Sequence, residues 1–233
     1  MTTNLTAALP RFRPPDDCKK ILVVGAGGFG REVLQWARDA WPDHACLIAG
    51  FLSDDPRRLD GFSCGITIVG SVEGYRASPG DYLLLGIGVP YSRKRIADRL
   101  SATDGRFITL VHPSAVVADS CLIGQGSIVC PYAVVSDSAT LGRFVLVNYH
   151  ASLGHDSKAG DFVVLSPYAT LGGSACVENE GFLGLHASVG PGKTLGSRSK
   201  VSANSCVLSS APDNSIVFGV PGRITPRIDV SGF

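Results

Sequence analysis

Residues 129–172 read VCPYAVVSDSATLGRFVLVNYHASLGHDSKAGDFVVLSPYATLG, and a period of six runs through them. Val129, Val135, Leu141, Val147, Leu153, Ala159, Leu165 and Leu171 share one frame. Outward, the frame continues without insertion back to Val111 and forward to Val207. Ala159 is its one member that is not Ile, Leu or Val. Four residues after each aliphatic the chain is nearly always small, from Ala115 and Cys121 to Ser205, with Lys193 as the large exception. Glycine often follows the aliphatic directly, as at Gly124, Gly142, Gly154, Gly160 and Gly172. Six is neither the helical nor the strand period. A hexad fits one short strand and one tight turn, with glycine expected to serve the turn by accepting positive φ. Each repeat can bury its apolar face only against its neighbours, so the pattern predicts a β-solenoid.

Residues upstream of the repeats read differently. Ile21–Val24 is an apolar run, followed by Gly25-Ala26-Gly27-Gly28-Phe29-Gly30 and a helical stretch to about Ala40. Further strands are expected at Cys46–Phe51, Ile66–Val69 and Tyr82–Ile87, with helices near Ser71–Ala77 and Tyr91–Ser101. This alternation predicts a small parallel α/β sheet, Rossmann-like in character. Gly25, Gly27 and Gly30 fit GxGxxG between a strand and a helix, where backbone N–H groups and the helix N-terminus attract phosphate. Asp54 and Asp55 follow the second strand, where a ribose or base could be gripped. About 90 residues is half of a full dinucleotide fold, so a nucleoside diphosphate fits better than NAD.

Composition bounds the remaining classes. The 233 residues are 45% hydrophobic and 18% charged, which suits a globular chain. A net charge of +1 implies no broad nucleic-acid or membrane surface. The seven cysteines form no CxxC pair, which favours reduced thiols and a cytoplasmic setting. The start of the chain lacks an apolar signal core, its prolines suggest a flexible leader, and no stretch is long enough to span a bilayer.

The ordered set GAGGFGREV, FLSDDP, IGVPYSRKRIADRL, LVHPSA, NYHASLGHDSKAGDFVVLSPYATLGG and FGVPGR resembles sugar acetyltransferases of the sialic acid O-acetyltransferase type. That family includes enzymes that N-acetylate 4-amino sugars carried on nucleotides. The resemblance covers about Lys20 to Pro226. It implies a left-handed parallel β-helix of hexapeptide repeats, with three hexads to a triangular coil, packed as a homotrimer. The implied domains are a leader over 1–18, a Rossmann-like nucleotide-sugar-binding domain over 19–108, the β-helix over 109–212 and a tail over 213–233.

The implied activity is transfer of acetyl from acetyl-CoA to a UDP- or GDP-linked 4-amino sugar, for surface polysaccharide or glycan synthesis, without a metal. His155 matches the family's general base and Asn148 a position near the acceptor sugar. Gly27, Gly28 and Phe29 match the loop that holds the nucleotide sugar, and Asp54 and Gly88 match further contacts to it. Gly173, Leu185 and Ala203 match positions along the acetyl-CoA groove. Many relatives have histidine where this chain has Phe29, so the acceptor can differ.

The residues themselves support such chemistry. Acetyl transfer to an amine needs a proton acceptor, a thioester held close and a stabilised oxyanion. His155 suits the first task, and adjacent Asp156 could fix its tautomer. Strand neighbours point to opposite faces, so that contact needs a bend or a neighbouring subunit. Gly173, three hexads on, offers a backbone N–H for the oxyanion. Lys193, Arg198, Lys200, Arg223 and Arg227 could face the anions of CoA. Three rivals stay open. O-acetylation could use the same histidine. A zinc carbonic anhydrase of the γ type could use His112, His150 and His155, although His112 falls slightly out of coil register with His150. A non-catalytic nucleotide-sugar-binding protein is the third.

Overall fold

A computed structural model describes residues 12–227. The expected leader falls partly outside them, at residues 1–11. Its later part is tied down: Trp41 Nε1 donates to the Phe12 carbonyl at 2.8 Å. Asp17 accepts from the Tyr82 hydroxyl at 2.7 Å and from Arg106 at 2.8 Å. The described residues form two compact units, 12–88 with 92–113, and 89–91 with 114–227.

The first unit carries four parallel strands, β1 (Lys20–Val24), β2 (Ile48–Leu52), β3 (Ile68–Gly70) and β4 (Asp81–Leu85), in the order β3-β2-β1-β4. Helix α1 (Gly28–Ala40) links β1 to β2, and α2 (Pro90–Ser101) follows β4. Helix α1 buries Val33, Leu34, Trp36, Ala37 and Ala40, a helical stripe that faces the core. Ile21, Val23, Leu83, Leu84 and Leu85 are fully buried in the sheet.

Two expected elements differ. Cys46 and Leu47 close a 3-10 helix, Pro42–Leu47, and the strand begins only at Ile48. Pro42 starts that helix with a fixed φ and no N–H to satisfy. The helix expected at Ser71–Ala77 is a single turn. The Ser71 hydroxyl takes the Gly74 N–H at 2.8 Å, a side-chain bond that competes with helix propagation.

The second unit is a parallel β-helix. Short strands recur once per hexad and pair with the strands three hexads before and after: Thr140 with Leu122 and Lys158, Leu146 with Ile128 and Val164, Ser152 with Val134 and Thr170. Three sheets result. The frame aliphatics Val135, Leu153, Leu165, Val177, Leu183, Leu195 and Val201 are fully buried between them. Each such side chain contributes about 2 kcal/mol. After the last hexads, Ser215–Phe218 joins Lys200–Val201 and turns back as an antiparallel hairpin with Arg223–Pro226.

Glycine's role in the turns is not the expected one. Positive φ falls three positions after the frame aliphatic, at non-glycines such as Tyr132, Phe144, His150, Asp156, Tyr168 and His186. The glycine directly after the aliphatic answers a different demand, the close approach of the next coil. A Cβ on Gly142 would stand 2.7 Å from the Asp161 nitrogen, and one on Gly154 2.8 Å from the Gly173 nitrogen.

Candidate active site

The coil period of three hexads assigns every site residue in the β-helix to a corner. His155 and Asp156 lie on the corner between strands Ser152–Leu153 and Lys158–Ala159. Asp156 has φ +59°, and this bend turns its carboxylate back to the preceding residue. His155 Nδ1 lies 2.8 Å from Asp156 Oδ2, so the contact is made within one chain. A carboxylate only accepts, so Nδ1 carries the proton, which leaves the lone pair of the neutral ring on Nε2. The ring lies over Gly173, one coil further on: a Cβ there would stand 2.5 Å from His155 Nε2. Glycine is therefore required beneath the imidazole, and the Gly173 backbone borders its basic nitrogen.

Asp137, one coil earlier on the same corner, is a residue that the sequence reading missed. It accepts from the Ser120 hydroxyl at 2.5 Å and the Ser138 hydroxyl at 3.2 Å. These two bonds, with the charge of His155, hold its carboxyl below the ordinary carboxylate range. It thus adds a second anion near the imidazole. The coil period is the signal that points to it, since Asp137 stands three hexads before His155 on the same edge.

Asn148 follows strand Leu146–Val147, on a different corner. Its Oδ1 takes the Tyr149 N–H at 2.8 Å. Leu185 and Ala203 lie on that same corner, just after strands Phe182–Leu183 and Lys200–Val201. One chain therefore groups His155, Asp156 and Gly173 on one edge, and Asn148, Leu185 and Ala203 on another. The second edge also carries a ladder of rings. Tyr132, His150, Tyr168 and His186 stack at centroid separations of 5.1, 4.8 and 4.6 Å.

The histidines proposed for zinc are dispersed. His150 and His155 occupy different corners, and His112 sits 3.4 Å from Asp39. Among the described residues no three His, Cys, Asp or Glu side chains are grouped to hold a metal. Burial pushes the His112 pKa below its ordinary 6.5, against the pull of Asp39. The unfolded chain then binds more protons just below pH 6.5, so stability should fall as pH drops through that region. His112→Asn should flatten this fall, checked by unfolding midpoints of both proteins at near-neutral and mildly acidic pH. Parallel slopes would count against it.

Several of the basic residues near the end of the repeats have partners within the chain. Arg198 Nε donates to Asn214 Oδ1 at 2.8 Å, Arg227 to the Arg198 carbonyl at 2.9 Å, and Lys200 lies over the Phe182 ring. The cysteines are all free, and burial raises the thiol pKa of Cys18 and of Cys176, which takes these two away from the setting of a nucleophile.

In the α/β unit a cleft of about 360 Å³ brings Gly27, Gly28, Phe29, Asp54 and Gly88 together. The glycines answer separate needs. Gly25 has φ +97°, and a Cβ on Gly30 would overlap the Gly25 carbonyl oxygen. Gly27 caps α1 without a side-chain bond, and the first turn has no acid, so the helix N-terminus opens on the cleft. One Asp54 oxygen already accepts from the Glu73 N–H at 3.0 Å. The Phe29 ring meets Trp36 edge-on at 5.8 Å. Arg58, which sequence reading missed, lines the same cleft, and its guanidinium comes within 3.6 Å of the place a Gly27 Cβ would take. Only the fold brings its loop back over the glycines.

Comparison with known proteins agrees with both halves. Residues 20–100 match the family model of the PglD N-terminal domain. Over 116 residues the chain is 34% identical to UDP-N-acetylbacillosamine N-acetyltransferase of Bacillus subtilis (strain 168), covering 48% of this chain. That alignment spans about half the length of the Bacillus protein, 51%. PerB from Caulobacter crescentus, solved in complex with CoA and GDP-perosamine, superposes with a TM-score of 0.76 at 27% identity, over 88% of this chain and 97% of that one. The acetyltransferase domain of PglB from Neisseria gonorrhoeae FA1090 does so with a TM-score of 0.78 at 28% identity, over 89% and 100%. The same domain is known in complex with acetyl coenzyme A.

Proposed function

We propose that this chain, a PglD-type N-terminal domain joined to a hexapeptide β-helix, is an acetyl-CoA-dependent N-acetyltransferase of a nucleotide-linked 4-amino sugar. The observation that carries the reading is the imidazole of His155, held by Asp156 through Nδ1 and presenting Nε2 against Gly173. Similarity to enzymes that work on nucleotide-linked amino sugars supports it.

In this mechanism the glycine cleft holds the nucleotide. The helix N-terminus of α1 and the Arg58 guanidinium face its diphosphate. The sugar amine attacks the thioester carbonyl while His155 Nε2 takes the amine proton. Asp156 stabilises the imidazolium that forms, and the Gly173 N–H faces the oxyanion. The C–S bond then breaks, and the thiolate of CoA leaves and takes up the proton. No cysteine carries the acetyl group, so the reaction runs through a ternary complex.

Two edges of the β-helix carry residues assigned to this chemistry, and one chain holds them on separate corners. A site that uses His155 and Gly173 together with Asn148, Leu185 and Ala203 needs two chains. Threefold packing of β-helices supplies such a seam three times over, so the working form is a homotrimer. Among the described residues no helix is long and apolar enough to cross a membrane, and the free cysteines favour the cytoplasm.

The test is a panel of UDP- and GDP-linked 4-amino sugars with acetyl-CoA, following free thiol, with light scattering on the same preparation. Thiol release that depends on one amino-sugar nucleotide, from a trimer, is expected. Release with none of them, or full activity in a monomer, would overturn the reading.

A further inference from the structure

The most unusual charge in the molecule is Arg93, near the start of α2. It is fully buried, in a core of apolar strands and helices where an arginine is rarely placed without a purpose. Its guanidinium donates to the Leu85 carbonyl at 3.2 Å and, more closely, to the Ile87 carbonyl. These two carbonyls bracket the segment by which the chain leaves β4. Gly86, Ile87 and Gly88 of that segment line the glycine cleft. Gly86 also packs on the glycine loop: a Cβ there would stand 2.8 Å from the Gly30 Cα.

The peptide unit converts this inner contact into an outer one. In a planar trans peptide the carbonyl and the following N–H point in opposite directions. The Ile87 carbonyl is pulled inward onto Arg93, so the N–H of Gly88 is turned away from Arg93. Gly88 lines the cleft, and a Cβ placed on it would meet nothing within 4 Å. We infer that Arg93 is a positioning residue for the nucleotide-sugar site: by clamping the Leu85 and Ile87 carbonyls from within the core, it fixes the Gly88 N–H as a hydrogen-bond donor to the bound nucleotide sugar. This rests on the function proposed above and adds to it the inner support for one wall of the cleft. Lysine does not replace the guanidinium fully: Nη1 reaches both carbonyls from the end of a rigid planar group, whereas an ammonium on a flexible stem is not fixed in direction.

UDP and GDP serve as probes, titrated calorimetrically into the intact protein and into Arg93→Lys, Arg93→Met and Gly88→Pro. Both Arg93 variants should bind the preferred nucleotide about 10- to 100-fold more weakly, with Arg93→Lys the milder, while acetyl-CoA affinity is kept. In turnover the loss should appear in KM for the nucleotide sugar and leave kcat nearly unchanged. A merely structural arginine would lower thermal stability without this selective split. Gly88→Pro deletes the N–H itself and leaves Arg93 in place, so it tests the inference even if the Arg93 variants fail to fold. It should lose more affinity than Gly88→Ala, which keeps the N–H. Equal affinity in Gly88→Pro and Gly88→Ala, with tight binding by the unaltered protein, would overturn this inference alone. Failure of the unaltered protein to bind either nucleotide would overturn the functional reading beneath it as well.

Discussion

His155→Ala should lower turnover by about 10²- to 10⁴-fold, the range expected when a positioned proton acceptor is removed. The affinity for acetyl-CoA should stay nearly constant, because the imidazole acts on the amine and does not hold the cosubstrate. The expectation rests on three features of one corner. Asp156 fixes Nδ1 as the protonated nitrogen at 2.8 Å. Gly173 leaves room for the ring and sets Nε2 against its own backbone. Asp137, whose carboxyl the Ser120 and Ser138 hydroxyls hold below the ordinary carboxylate range, places a second negative charge near the ring. Steady-state thiol release gives the turnover, and calorimetry with CoA gives the affinity. A variant that retains turnover within about threefold would remove His155 from the proton transfer.

Gly30→Val should be the most damaging single change in the α/β unit. An added Cβ would overlap the Gly25 carbonyl oxygen, which is backbone and cannot rotate away. The first turn of α1 would have to leave β1, and both the packing of Gly86 on Gly30 and the cleft floor would go with it. A cost of about 3 kcal/mol or more is expected, at the upper end of what overpacking does. The unfolding midpoint should drop by about 6 °C or more, and UDP and GDP binding should be lost. Thermal unfolding with calorimetry of both nucleotides checks it. Unchanged stability would mean that strand and helix do not approach each other here as closely as the structure places them.

Much of this protein is legible in one dimension. The repeat states the β-helix outright, because a frame of aliphatics every six residues admits no other periodic structure. The glycine loop, the α/β alternation and the candidate base can also be read from residue types and spacing. Where sequence and structure part, the cause is local and competitive. Ser71 diverts the Gly74 N–H, so a helical pattern ends as a turn. Pro42 starts a 3-10 helix after α1 and delays β2. The glycines after each aliphatic suggest positive φ, whereas the bend lies two positions later and their real constraint is the next coil.

The order of residue types alone determined the solenoid and the small sheet before it, since burial of a periodic apolar face depends only on spacing along the chain. Tertiary structure decided which groups meet. It set Asp137 beside His155, separated Asn148 from it by a corner, brought Arg58 over Gly27 and buried Arg93 behind Gly88. Those encounters follow from the coil register and from how loops return to the sheet, and neither is written in the sequence neighbourhood of the residues involved.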